Sequence, residues 1–155
     1  MTNNLTRRTA ILSFGAGFTF PLHSIAQTAD IWSAAQTYEA MELDQIRLID
    51  VRSRQEWADT GVALGAWLIS MHEPRFPERL FMAKDTADPR KIALICATGG
   101  RTGRLIRALR KAQYDGFIDV SEGMLGSKNG PGWIASRLPV VDMETALLAQ
   151  PESLA

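Results

Sequence analysis

The sequence is poor in the residue types that build disulfides and metal sites. Its 155 residues include one cysteine, Cys96, and two histidines, of which His23 lies near the N-terminus. A single cysteine cannot close a disulfide within the chain. One thiol with one imidazole in the body of the chain cannot supply the usual ligand set of a soft metal ion. We therefore expect neither a structural disulfide nor a metal site.

The chain also lacks an excess of either charge and any long apolar run. It has 17 basic and 17 acidic residues, so the formal net charge is zero. No basic stripe points to a nucleic-acid partner, and no run reaches the roughly 20 apolar residues that span a bilayer. With 46% hydrophobic residues, a chain of this length can bury a core as a single globular domain.

Short apolar runs alternate with helical patterns along the body of the chain. Capping boxes at Ser33 and Ser53, each followed three residues later by Gln or Glu, predict helix starts. Apolar runs predict strands at residues 45–50, 66–70, 92–95 and 117–120. A helix is expected from about Pro77 to Lys84, with a turn over residues 85–89. The alternation predicts an α/β fold, an open, mostly parallel sheet of about five strands with helices on both faces.

Cys96 ends the strand at 92–95 and opens the stretch Cys-Ala-Thr-Gly-Gly-Arg-Thr-Gly-Arg, which leads into an amphipathic helical run over residues 105–114. In open α/β sheets, ligands bind at this edge. Gly99 and Gly100 allow a tight turn that points backbone N–H groups inward, and the following helix adds its positive end. Such a cradle favours a thiolate, and Arg101 could hold an anionic substrate. The alternative is a small apolar cysteine that ends a core strand.

The pattern Cys96-x-x-Gly99-x-Arg101-Thr102 resembles the active-site loop of the rhodanese family. Four residues separate the cysteine from the arginine, whereas the related dual-specificity phosphatases have five. Weaker matches are spread over about residues 30–141: Asp50-Val51-Arg52, Glu56-Trp57, Gly61, Gly65-Ala66, Glu122-Gly123, Trp133 and Leu138-Pro139-Val140. The resemblance implies a rhodanese-like fold.

It also implies a thiosulfate-type sulfurtransferase. Cys96 would take the sulfane sulfur of the donor as a persulfide and pass it to a thiol or cyanide, while Arg101 holds the anionic donor. The expected substrate-binding residues are Ala97, Thr98, Gly99, Gly100, Thr102 and Arg104. The expected partners are a small sulfur-containing anion as donor and a thiol or protein as acceptor. No cofactor is expected besides the covalent persulfide.

Two other functions remain open. The domain could be a sulfur carrier or docking module that a specific partner loads and unloads without small-molecule turnover. It could also be a cysteine-based phosphatase or an arsenate reductase, which use an anion cradle too. The short loop argues against this last reading.

Three residues at strand ends are candidates for supporting roles. The resemblance implies that Asp50 and Arg52 support the cysteine loop, and the alternative is capping plus a surface ion pair. Glu122 could be a further residue at the lip of the pocket. The glycine-rich residues 121–133 form either a second lip or a solvated insertion. His72 is expected to be a surface histidine rather than a catalytic partner of Cys96.

Residues 1–26 resemble an export signal. Arg7 and Arg8 precede a mildly apolar stretch, and Ser24-Ile25-Ala26 offers a small-residue cleavage site. The paired arginines resemble a twin-arginine signal, with a Sec signal or a retained helix as alternatives. The expected organisation is thus a signal over residues 1–26, the domain over 27–141 and a C-terminal tail over 142–155 that can hold a short helix. We expect an exported, periplasmic protein that is soluble after cleavage.

Overall fold

A computed structural model describes residues 30–154, so the predicted export signal lies outside the described residues. Five parallel strands form one sheet in the order β1-β6-β5-β2-β4. These strands are β1 (Ile31–Trp32), β2 (Ile46–Asp50), β4 (Trp67–Leu68), β5 (Lys91–Ile95) and β6 (Phe117–Val120). The helices are α1 (Ala34–Glu42), α2 (Arg54–Thr60), α3 (Phe76–Ala87), α4 (Gly100–Lys111), α5 (Gly132–Ala135) and α6 (Met143–Ala149). The predicted α/β fold with a parallel five-stranded sheet is confirmed.

Local sequence signals account for most helix starts. Both capping boxes are present, with the side chains of Ser33 and Ser53 accepting from the backbone three residues later. The turn predicted at residues 85–89 is wrong in its first half. There α3 continues to Ala87, because Ala83 and Ala87 lie four residues apart on one buried face. Helix α4 begins at Gly100, earlier than the apolar periodicity of residues 105–114 indicates.

The sheet separates two apolar clusters, which confirms helices on both faces. On one face, α3 and α4 pack against Leu94 and the side chain of Cys96. On the other face, α1 and α5 cover Ala93 and Ile95. Successive residues of a strand point to opposite faces, so β5 is buried on both sides. This burial fixes β5 in the middle of the sheet, and with it the position of Cys96 at its carboxyl end.

A second, two-stranded sheet joins the C-terminal part of the chain to the domain. Strands β3 (Val62–Ala63) and β7 (Val140–Val141) pair antiparallel, and α6 buries Ala146 beside Trp57. A 3₁₀ turn at Glu152–Leu154 follows α6. The segment from residue 142 onward thus packs on the domain. Within residues 30–154, no helix has both the length and the apolar character needed to cross a bilayer.

Candidate active site

Cys96 directly follows the central strand β5 and is 1% exposed. Its Sγ atom lies 3.6 Å from Oγ1 of Thr102, and that hydroxyl also donates to the carbonyl oxygen of Gly99 at 3.1 Å. Thr102 is fully buried in the first turn of α4. The sulfur therefore lies at the carboxyl end of a strand and against the amino end of a 12-residue helix, as the sequence predicts.

We call residues 96–101 the cysteine loop. Within the described part of the chain, the backbone N–H groups of residues 97–102 donate no hydrogen bond to a protein acceptor. The turn is possible because Gly99, the N-cap of α4, adopts φ +76°. Free N–H groups and the positive end of a helix dipole stabilise a bound anion. The loop can therefore hold a thiolate, a persulfide anion or the charged end of a donor.

The guanidinium group of Arg101 lies between the cysteine loop and α2. Both of its terminal nitrogens donate to the carboxylate of Glu56, with Nη1 to Oε2 at 2.9 Å, and Nη1 lies 3.2 Å from Nε2 of His72. The pKa of Arg101 is raised, mainly by its hydrogen bonds to Glu56 and further by the nearby sulfur of Cys96. Arg101 is therefore positioned beside the sulfur and held there by a carboxylate.

Glu56 is a site residue to which the sequence analysis gave no role in the site, only a helix cap and a place among the matches to the rhodanese pattern. Its Oε2 atom accepts the N–H of Ser53 at 2.9 Å as well as Nη1 of Arg101. The hydrogen bond from Arg101 is the main cause that lowers the pKa of Glu56 to about 2. No sequence pattern connects two residues 45 positions apart. His72 is exposed, as predicted, yet it contacts Arg101.

Asp50 and Arg52 form a buried ion pair, so the alternative of a surface pair is wrong. Arg52 Nη2 lies 2.7 Å from Asp50 Oδ2, and both side chains are at most 1% exposed. Nη1 of Arg52 also donates to Oγ1 of Thr60 at 2.7 Å, and Nη2 to the carbonyl oxygen of Gly61 at 2.7 Å. The pair thereby ties β2 to the end of α2. It reaches the cysteine loop indirectly, through the helix that carries Glu56.

The glycine-rich loop (residues 121–133) packs directly on the cysteine loop. The N–H of Met124 donates to the carbonyl oxygen of Cys96 at 2.8 Å, and the N–H of Leu125 to that of Ala97 at 2.8 Å. A Cβ atom on Gly123 would lie 2.4 Å from the carbonyl oxygen of Ala97. The alternative of a solvated insertion is therefore wrong for this half of the loop, whose main chain supports the cysteine loop.

The predicted lip residue Glu122 and the predicted substrate-binding residue Arg104 have different surroundings. Glu122 is 7% exposed, and its Oε2 accepts the N–H of Gly132 at 3.1 Å, so it fastens the glycine-rich loop internally. Arg104 is exposed and lines a surface cleft together with Gly99 and Gly100. Thr98 and Gly100 are exposed at the rim of the cysteine loop, and Ala97 is half-buried. Among residues 30–154, no group of three His, Cys, Asp or Glu side chains could hold a metal ion.

Solved structures share this architecture. A rhodanese-related protein of Thermoplasma volcanium has a TM-score of 0.54 and 24% identity, covering 71% of this chain and 95% of its own. The rhodanese-like domain of an Anabaena protein has a TM-score of 0.53 and 16% identity, covering 79% and 84%. A protein of unknown function from Rhodopseudomonas palustris, described as a possible tyrosine phosphatase, has a TM-score of 0.50 and 15% identity, covering 70% and 82%.

At these identities the structural matches establish the fold. No curated protein sequence matches the chain. Residues 33–129, more than half of the chain, match the family described as rhodanese-like domain. The match includes Cys96 and the whole cysteine loop, and it supports a sulfurtransferase-type or related cysteine-based activity. The chain therefore belongs to the rhodanese-like domain family.

Proposed function

We propose that the protein is a thiosulfate-type sulfurtransferase that carries the transferred sulfur as a persulfide on Cys96. The observation that carries this proposal is the position of Cys96 at the start of a loop whose N–H groups, from residues 97 to 102, have no acceptor within the described chain. Such a loop stabilises the anionic sulfur at every stage of the reaction. The family match supports the same class of chemistry.

In the first step, the thiolate of Cys96 attacks the outer sulfur of thiosulfate. A new S–S bond forms to Sγ, the bond within thiosulfate breaks, and sulfite leaves with the electron pair. The N–H groups of the cysteine loop face the negative charge of the donor and then of the persulfide. Arg101 supplies a positive charge beside the sulfur, and Glu56 holds its guanidinium in place. The remaining guanidinium edge is left for the sulfite end of the donor.

In the second step, an acceptor removes the outer sulfur and restores the thiolate. Cyanide or a thiolate attacks that sulfur, and the electron pair of the broken S–S bond returns to Sγ of Cys96. Because the enzyme alternates between two covalent states, the kinetics should be ping-pong. The thiosulfate specificity, the persulfide and the absence of a further cofactor are all parts of this proposal.

The size of the cysteine loop favours sulfur over phosphate as the reacting centre. Four residues separate Cys96 from Arg101, one fewer than in the phosphatases that the loop also resembles. The competing function is a phosphatase or arsenate reductase, and the Rhodopseudomonas palustris protein, which shares the fold, is described as a possible tyrosine phosphatase. Hydrolysis of an aryl phosphate that depends on Cys96 would favour that alternative.

The decisive experiment is the intact mass of the purified protein before thiosulfate, after thiosulfate and after cyanide. We expect a gain of one sulfur atom that cyanide removes and that Cys96→Ser lacks. Glu39→Gln is the control, since it changes an exposed residue of α1 and should load normally. If wild-type protein gains no sulfur from thiosulfate, the proposal is wrong. Loading only by a protein donor would instead favour the carrier function.

We also propose that residues 1–26 are removed on export to the periplasm. The support is the sequence pattern of paired arginines followed by a small-residue cleavage site. N-terminal sequencing of the protein recovered from the periplasm tests this. A first residue at or close to Gln27 is expected, whereas an intact Met1 in the cytoplasm would contradict export.

A further inference from the structure

A cleft with mixed charge lies beside the cysteine loop. We call it the basic cleft; it encloses about 640 Å³ between the start of α4 and the glycine-rich loop. Its charged lining consists of Arg104, Arg107, Lys128 and Asp119. The three basic side chains belong to exposed residues, whereas Asp119 is 7% exposed. The cleft is therefore positive at its edges and holds one acidic group in its wall.

One oxygen of the Asp119 carboxyl group is buried without a hydrogen-bond partner. Its Oδ1 atom is buried and makes no hydrogen bond within the described part of the chain. Burial is the main cause that raises the pKa of Asp119, and contacts with Thr102 and with two arginines of α4 act against it. A buried polar atom without a partner is costly, so native proteins rarely keep one unless a ligand or water serves it. Asp119 can thus accept a hydrogen bond from a ligand that carries a donor or a positive charge.

Gly103 lies close to both Asp119 and Arg107. A Cβ atom at Gly103 would lie 3.2 Å from Oδ2 of Asp119 and 3.6 Å from Nη1 of Arg107. The carboxyl group of Asp119 and the guanidinium group of Arg107 therefore lie near the same backbone position in the wall of the cleft. This arrangement suits a ligand that carries both a positive and a negative group. A purely anionic ligand such as thiosulfate has neither a hydrogen-bond donor nor a positive charge that could contact Asp119.

The basic cleft shares part of its wall with the cysteine loop. Gly99 and Gly100 line the cleft and also belong to the turn that surrounds Cys96. Gly100 is exposed, and nothing lies within 4 Å of where its Cβ would be. The basic cleft and the cysteine loop thus adjoin at these two glycines.

We infer that the basic cleft binds the sulfur acceptor as a small thiol that carries both an ammonium and a carboxylate group, with Asp119 contacting the ammonium and Arg107 and Lys128 the carboxylate. The inference rests on the proposed sulfur transfer from Cys96. The bound acceptor, as its thiolate, attacks the outer sulfur of the protonated persulfide. A new S–S bond forms on the acceptor, and the bond to Sγ breaks with its electron pair on Sγ. The products are the Cys96 thiolate and the acceptor persulfide, so no oxidant or reductant is needed.

The test compares four thiols that differ only in their charged groups: cysteine, cysteamine with the ammonium alone, 3-mercaptopropionate with the carboxylate alone, and 2-mercaptoethanol with neither. Protein loaded with thiosulfate and freed of excess donor is mixed with each thiol. The rate of sulfur loss is expressed per thiolate, which removes differences in thiol acidity. We expect cysteine to react about tenfold or more faster than 2-mercaptoethanol, with the two singly charged thiols in between.

Two variants separate the two contacts. Asp119→Asn should reduce the advantage of cysteine and of cysteamine at least fivefold, without a comparable loss for 3-mercaptopropionate. Arg107→Ala should instead slow the reaction of the two thiols that carry a carboxylate, cysteine and 3-mercaptopropionate, without a comparable loss for cysteamine. Lys111→Ala removes a basic residue of the same helix that does not line the cleft, and it should leave the order of the four thiols unchanged. Each rate is divided by the rate with cyanide, so a general loss of activity cancels.

Failure of this inference and failure of the proposed function give different results. If the protein cannot be loaded with sulfur, the proposed function is wrong. If it loads and discharges to cyanide but the four thiols react equally, or if Asp119→Asn changes them all alike, the assignment of the cleft is wrong. A second readout needs no turnover: S-methylcysteine should bind to Cys96→Ser and shift the NMR signals of Gly103 and Asp119. Absence of those shifts at millimolar ligand would also overturn the assignment.

Discussion

The carboxylate of Glu56 accepts both terminal nitrogens of Arg101 and, through the same Oε2 atom, the N–H of Ser53. One side chain therefore caps α2 and fixes the only arginine of the cysteine loop. Because Asp50 and Arg52 tie α2 to β2, the position of that arginine depends on a buried ion pair that makes no direct contact with it.

Replacement of Glu56 by glutamine should strengthen the binding of the donor and slow its reaction. The change removes a negative charge that competes with thiosulfate for Arg101, so the KM for thiosulfate should fall about three- to tenfold at low salt. The guanidinium also loses its fixed orientation, so kcat should fall. Steady-state kinetics at two salt concentrations measure both effects. An increase in KM with unchanged kcat would contradict this role, and Glu39→Gln, on α1 and exposed, is the control.

The ion pair between Glu56 and Arg101 should also survive in acid. The folded-state pKa of Glu56 is about 2, below its ordinary value of 4.5. Its contribution to stability is therefore complete above about pH 4.5 and is lost as the pH falls through 2. Glu56→Gln should cost roughly 1 kcal/mol of unfolding free energy at pH 7, and the difference from wild type should vanish near pH 2. Urea unfolding at several pH values measures it, and a difference that is constant with pH would contradict the assignment.

Asp119 should have the opposite effect on stability. Burial raises its folded-state pKa above 3.8, so its ionisation is less favourable in the folded than in the unfolded protein. The penalty is absent at low pH, where the group is protonated in both states, and grows as the pH rises through the raised pKa. Asp119→Asn should therefore be more stable than wild type by about 1 kcal/mol at pH 7 and nearly equal to it below pH 3. Thermal unfolding shows the sign, and a destabilised Asn variant at pH 7 would contradict it.

Gly99 and Gly100 are adjacent in the cysteine loop but should respond very differently to alanine. A Cβ atom at Gly99 would lie 1.9 Å from the carbonyl oxygen of Ser121, and the φ angle of Gly99 is +76°. Gly99→Ala should therefore lower the free energy of unfolding by about 3 kcal/mol or more, of which left-handed strain contributes roughly 1–3 kcal/mol and the clash the rest. At Gly100 there is nothing within 4 Å, and the residue begins α4. Gly100→Ala should therefore keep or raise stability by up to about 1 kcal/mol. Equal losses in denaturant unfolding would show that the two loops do not pack as described.

Local patterns were sufficient to predict the framework of the site. The capping boxes at Ser33 and Ser53, the apolar strand before Cys96 and the two glycines after it all describe short-range geometry. Parallel sheets bring the carboxyl ends of neighbouring strands together, which placed Asp50 and Cys96 at one edge. Such patterns depend on interactions between residues a few positions apart, and the structure contains each of these local features.

The features of the site that the sequence patterns did not predict are contacts between residues distant in sequence. Glu56 satisfies a capping pattern completely, so nothing in its neighbourhood shows that it also pairs with Arg101. Asp119 occupies an ordinary strand, and only the three-dimensional packing reveals its lack of a hydrogen-bond partner. The pairing of β3 with β7 involves two residues from each strand, which is too short for a periodic signal.

Main-chain atoms of the glycine-rich loop, from Met124 and Leu125, hold the carbonyl groups of the cysteine loop. A hydrogen bond between backbone atoms makes no demand on the side chain of the donor. Leu125, whose side chain is 53% exposed, can thus be exchanged during evolution or in a mutant library without altering the turn around the sulfur. Gly123 cannot be exchanged in this way, because the Cβ atom of any other residue at this position would lie 2.4 Å from the carbonyl oxygen of Ala97. The outer surface of the active site can diversify while the atoms that shape the sulfur pocket stay the same.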